Sequence, residues 1–242
     1  MNGAFDKSVQ LNNEALNIRK KMFGVNHPIY AESLSNLAVD YTFLGQKENA
    51  VESIKEFIPI VRKHITNTFV GLTSNERFAF WSQHNIVLNS TLPTILILSD
   101  TPEAATILYD NTALFSKGLL LSSEQEMIKL IQESGDAEAV KMYSVLQQNR
   151  QLLSSQYSKP IAERDIDCDS LENISSYLER QLVSRVKEFG DYTRNLNITW
   201  KDVQSKLGDS DIAIEYLSYP KNDSTIAYVA LTLCKNDTAP VL

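Results

Sequence analysis

The chain is poor in cysteine, in basic charge and in long apolar runs, and each shortage removes a class of function. Its two cysteines, Cys168 and Cys234, have no CxxC partner, so neither a disulfide framework nor a zinc or thioredoxin-like motif can be read. Lys and Arg number 23 against 30 Asp and Glu, a net charge of -7. That balance argues against a basic surface that neutralises phosphates, and nucleic acid is not an expected partner. The longest apolar runs, such as Ile95–Leu98 and Leu119–Leu121, fall far short of the roughly 18–20 residues that span a bilayer. The first residues carry neither the basic start nor the apolar stretch of a secretory signal. The expectation is a soluble chain without a membrane partner, the cytoplasm being the favoured compartment. No GxGxxG, phosphate-loop or GxSxG string occurs, so no cofactor is expected. The acidic stretches Asp165–Asp169 and Asp209–Asp211 do not follow an EF-hand string; solvation or helix capping is expected of them, and no metal site.

What is present suffices for a core. A chain of 242 residues, 43% hydrophobic, can bury roughly three quarters of the surface its unfolded form exposes. The front of the chain is repetitive. The segment from Ser8 to Arg19 recurs loosely from Ala50 to Val61, an offset of 42 residues. Between the copies lies Gly24-Val25-Asn26-His27-Pro28, followed by small and apolar residues at 31, 34, 37, 38 and 41 and then Gly45. That is the spacing of an amphipathic helix with a glycine stop.

From residue 73 the helical period continues without repeats. Thr73-Ser74-Asn75-Glu76 is a start signal, a hydroxyl cap followed by an acid in the first turn. A stripe of Phe78, Trp81, Leu88, Leu92 and Ile95 follows, with Pro93 expected to kink the helix. A second helix is predicted from Thr101-Pro102-Glu103, and further ones over about 123–133, 136–156 and 169–195, the last two packing antiparallel. After a short helix capped by Thr199, the segments 211–219 and 224–234 are rich in β-branched and aromatic residues, and they read as a hairpin turning at 220–223.

The string from Gly24 to Gly45, GxxHPxxAxSLxNLAxxYxxLG, resembles a tetratricopeptide repeat of the kinesin-light-chain type, over residues 4–64. The resemblance implies that Ala31, Ala38 and Ala50 let helices approach closely while Leu34, Leu37, Tyr41 and Leu44 fill between them. Phe57, where the pattern has alanine, and Pro59 inside the second helix suggest the last repeat of an array. Such arrays bind peptides on the face of their first helices, which here offers Glu32, Ser35, Asn36, Val39, Thr42 and Phe43. Only Asn36 matches the set that clamps a C-terminal carboxylate, so no such clamp is expected, and Asn36 equally suits a bond to nearby backbone.

Four later strings, LTSNERFAFW (72–81), LYDNTALFSKGLLL (108–121), TWKDVQSKLGDSDIAIEYLSY (199–219) and STIAYVALTL (224–233), resemble the start of a CHAT domain, the caspase-like domain that accompanies tetratricopeptide repeats. The resemblance implies a mainly α chain of three consecutive parts: an end of a repeat array at 1–65, a helical connector at 66–198, and the start of an α/β caspase-like domain at 199–242. It also implies that the catalytic His and Cys lie on later strands, so the chain is expected to be truncated before them and not itself an enzyme. The expected function is a non-catalytic scaffold that binds a protein or peptide. Two alternatives stand beside it: a cysteine peptidase, for which Cys234 and the three histidines are the only candidates in the chain, and an assembly module in which copies pair through the open hairpin edge or by repeat stacking.

Overall fold

A computed structural model describes residues 2–69, 71–189, 197–222 and 224–242. The chain is mainly helical and ends in a two-stranded antiparallel hairpin. In order come α1 (Asn2–Phe23), α2 (Pro28–Phe43), α3 (Lys47–Phe69), α4 (Ser74–Ile86), a π-helical segment (Val87–Thr91), α5 (Leu92–Ser99), α6 (Ala104–Leu108), a second π segment (Tyr109–Ser116), α7 (Lys117–Glu133), α8 (Ala137–Tyr157), α9 (Cys168–Phe189), α10 (Trp200–Gln204), β1 (Ile212–Asn222) and β2 (Thr225–Cys234). No helix among the described residues is long and apolar enough to cross a membrane. Two compact units form from non-consecutive stretches, residues 1–66, 81–119 and 196–242 in one and 67–80 and 120–195 in the other. The hairpin belongs to the same unit as α1 and α2.

In the first unit, α2 begins where His27 caps it, its Nδ1 accepting the Ile29 N–H at 3.2 Å, with Pro28 in the first turn. It ends because Gly45 takes a positive φ of 71° that a side chain would resist, and Gln46 N–H closes on the Tyr41 carbonyl at 2.8 Å. Ala31, Leu34, Leu37 and Ala38 of α2 are buried with Ala50, Val51, Ile54 and Phe57 of α3, whereas Tyr41 and Leu44 are only half-buried. Asp40 is buried as well, and its carboxylate is satisfied by Ser8 Oγ and Asn12 Nδ2 of α1, each at 2.8 Å. Small inward residues let the backbones approach, and the larger ones fill the remaining space.

The kink expected at Pro93 takes the form of a π segment instead. Proline has no N–H and crowds the carbonyl four residues earlier; here that carbonyl belongs to Asn89, inside Val87–Thr91, where the helix is wider. A break expected near 122 is absent, since helix runs without interruption from Ala104 to Glu133 through the second π segment. The two π segments meet through polar groups: Thr112 Oγ1 donates to the Leu88 carbonyl at 3.2 Å and Ser116 Oγ to Asn89 Oδ1. Arg62 lies over the Phe115 ring at 4.4 Å and donates to Asn111 Oδ1 at 3.1 Å. Asp110 accepts the Trp200 N–H at 2.6 Å, while Thr199 and Asp202 form the cap that opens α10.

The hairpin pairs Ile212 with Cys234, Ile214 with Thr232 and Leu217 with Val229. It turns more tightly than the sequence suggests, because β1 runs through Pro220 to Asn222, with a register irregularity there; an edge strand tolerates a proline that cannot donate. One face buries Leu217, Leu231 and Leu233, and the alternate residues Ile212, Ile214, Tyr216, Ile226 and Tyr228 are exposed. Lys117 ties β1 down, reaching Glu215 Oε2 at 2.9 Å and the Tyr216 carbonyl at 2.6 Å.

In the second unit, Met127 and Ile131 of α7, Ala139 and Leu146 of α8 and Leu182, Val183 and Val186 of α9 form one buried cluster. The α8 and α9 helices are antiparallel, as their end contacts show: Arg185 near the end of α9 meets Asp136 and Glu138 at the start of α8 (2.8 and 2.6 Å), while Tyr157 at the end of α8 meets Glu172 at 2.5 Å. Asp136 also caps α8 through the N–H groups of Glu138 and Ala139. The start of α4 is a capping box in which Thr73 N–H and Oγ1 both reach Glu76 Oε2 at 2.9 Å. Buried Glu179 accepts the Ser74 N–H at 2.6 Å and pairs with Arg150 at 3.1 Å. The described part of α9 ends at Phe189, and the remainder of the predicted 169–195 helix, 190–195, lies outside the described residues.

Candidate functional site

The six residues expected to form a binding face share one helix, and they do not share one environment. Glu32, Ser35 and Asn36 line a cavity of about 310 Å³. Thr42 lines a different hollow of about 240 Å³ with Ala50 and Leu98, and its hydroxyl donates back to the Ala38 carbonyl at 2.7 Å. Val39 is half-buried and lines neither. Phe43 is 64% exposed and its ring stacks on Phe5 of α1 at 4.6 Å.

The larger cavity is enclosed by three helical stripes. From α2 come Pro28, Ile29, Glu32, Ser35 and Asn36; from α3, Phe57, Val61 and His64; from α4 and the π segment after it, His84, Val87 and Leu88. Each set recurs at three- and four-residue steps, so each helix turns a single face to the space. The floor is apolar, with Phe57 and Leu88 buried, and Glu32 and Asn36 stand exposed. Glu32 is paired at 3.5 Å with Arg19, which also holds the Ile29 carbonyl and the Ser33 hydroxyl.

The imidazoles of His64 and His84 stand edge to face with centroids 5.8 Å apart. Burial pushes the His64 pKa down, and the charge of His27 acts in the same direction; burial and the charge of His64 do the same to His84. Both rings are therefore neutral at neutral pH. His64 is not at a helix end, for α3 continues to Phe69. The walls from α3 and α4 were missed by sequence reasoning. Their signal was the spacing of Phe57, Val61 and His64 and of His84, Val87 and Leu88, which could have marked them as faces turned to a common space.

The cysteines take no part in this cavity. Cys168 is buried at the start of α9. Cys234 ends β2, its N–H donating to Asp237 Oδ2 at 2.6 Å and its carbonyl accepting from Gln204 Nε2 at 3.1 Å. Of the acidic stretches, Asp167 Oδ1 accepts the Ser170 N–H at 3.0 Å at the start of α9, and Asp211 Oδ2 accepts the Gly208 N–H at 2.7 Å. No group of three or more His, Cys, Asp or Glu among the described residues could hold a metal ion. An apolar floor with hydrogen-bonding groups at its rim can seat an apolar side chain and contact the backbone that carries it. No family model, curated protein or solved structure matches the chain.

Proposed function

We propose that the chain is a non-catalytic helical scaffold that binds a protein or peptide segment in the cavity of α2, α3 and α4, as the regulatory part of a protein with tetratricopeptide repeats and a CHAT domain. The observation that carries this reading is the convergence of Glu32, Ser35 and Asn36 on a cavity of about 310 Å³ with an apolar floor. An apolar anchor of leucine size contributes about 1.5–3 kcal/mol when buried. That is a weak grip by itself, so the partner adds contacts at the exposed rim residues Glu32 and Asn36.

The test selects peptides by display against the full chain and measures their affinity for two variants. Asn36→Trp fills the mouth of the cavity and is expected to weaken binding by about tenfold or more. Phe43→Ala, two turns away, leaves it unchanged. Unchanged affinity in Asn36→Trp removes the site from this cavity.

A further inference from the structure

We infer that this cavity selects an uncharged, apolar side chain of its partner and releases it on acidification, with His64 and His84 as the switch. The inference rests on the binding reading above and names the ligand chemistry and regulation of the same site.

The selection follows from the walls. Phe57, Val61 and Leu88 offer no partner for a buried charge, and the imidazoles beside them are neutral at neutral pH, so an ammonium or carboxylate seated on this floor would lose its hydration with no opposite charge there to compensate. The rim carboxylate of Glu32 is engaged by Arg19 and would repel an acidic side chain. No Lys or Arg lines the cavity.

The switch follows from the placing of the histidines. The chain has three, and all bear on this one space. His64 and His84 line it, and His27 caps the helix whose first residues, Pro28 and Ile29, also line it. Among the lining residues the other titratable group is Glu32 of α2, with Arg19 of α1 behind it, and His27 stands at the start of α2; the remaining lining residues of α3, α4 and the π segment do not titrate. Both rings prefer the neutral form through burial, and the charge of His27 on His64 and of His64 on His84 acts in the same direction. Protonation therefore places like charges 5.8 Å apart beside an apolar floor, and water drawn in to solvate them displaces an apolar guest. The two protons go on in coupled steps, so release spreads over a pH range below neutral.

The test uses the full chain and N-acetyl-leucinamide, a probe without a titratable group, followed by methyl resonances of Val61, Val87 and Leu88, with imidazole resonances reporting the titration. Binding about tenfold weaker near pH 5 than near pH 7.5, tracking the His64 and His84 titration, is the expected result. His64→Gln/His84→Gln is expected to bind equally at both pH values. Equal wild-type affinity at both pH values overturns the switch and leaves the binding site standing. A pH dependence that persists in the double variant also overturns it. No shift of the lining methyls at either pH overturns the site itself, and with it this inference.

Discussion

Between α8 and α9 the helices meet along Ala139, Leu146, Leu182, Val183 and Val186, and they are tied at one end by Arg185 with Asp136 and Glu138 and at the other by Tyr157 with Glu172. Around α2, α3 and α4 the same helical spacing leaves about 310 Å³ open, bordered by two imidazoles. The difference lies in what stands at the inward positions and where the charges are. In the first region, aliphatic side chains fill the seam and ion pairs tie one of its ends, where paired charges cost little, while the buried carboxylate of α9, Glu179, is met by Arg150 and the Ser74 N–H. In the second, the inward residues of α2, of α3, of α4 and of the π segment after it leave the space unfilled, with His64 and His84 among its walls. One region closes on itself and the other leaves a cavity.

The largest expected effect tests the closed seam. Leu146 is fully buried in it, and Leu146→Ala is expected to cost about 2–5 kcal/mol in urea unfolding, through lost transfer energy and a residual cavity. Val61→Ala, at the half-buried wall of the open site, should cost clearly less; equal losses would erase the contrast between the regions.

A smaller effect concerns the buried carboxylate in the second unit. Glu179→Ala leaves the Ser74 N–H without its acceptor and takes from Arg150 one of its two carboxylate partners, Glu124 remaining at 2.9 Å, at about 1–3 kcal/mol. Glu179→Gln retains an acceptor for the Ser74 N–H and should recover part of the loss in thermal melts. A Gln variant no better than Ala would show that the ion pair, and not the helix-end hydrogen bond, is what matters.

The smallest effect separates the regions by pH. Hydrogen bonds from Thr73 hold the Glu76 carboxyl below its usual pKa, and the Ala139 N–H, followed by Arg185, does the same for Asp136. Their stabilisation is full above the unfolded carboxylate range, about pH 4, and is lost as pH falls through the still lower folded values. His64 and His84 are lowered from about 6.5, so there the unfolded chain takes up protons first. Stability begins to fall below about pH 6.5 and goes on falling down to the folded values. Unfolding midpoints measured against pH should show both windows, and His64→Gln/His84→Gln should remove only the upper one.

Much of the helical framework was legible from local chemistry. The His27-Pro28 start, the Gly45 stop, the Thr73–Glu76 box and the Thr199 cap each act within a few residues, so their strings predict their geometry. The hairpin was legible as well, though not its length, since whether Pro220 pairs depends on the strand across from it. Of the candidate site, the α2 stripe was readable because residues 32, 35 and 36 lie one turn apart on one helix. Phe57 stood out only as a departure from a repeat pattern, and His64 only as one of three histidines. Their shared cavity with His84 depends on how α3 and α4 meet α2, across sequence separations that periodicity does not see. Phe43 shows the same limit, since its stacking on Phe5 turns a residue of the expected binding face toward α1.

The sequence by itself determined the helices, their caps, the small inward residues of α2 and the change of period at the hairpin, because backbone preference and side-chain spacing are local quantities. Only the tertiary structure decided that Glu32, Ser35 and Asn36 would share a cavity with His64 and His84 while Thr42 and Phe43 went elsewhere. Burial and the approach of two imidazoles are properties of packed surfaces, and they exist only once distant helices have met.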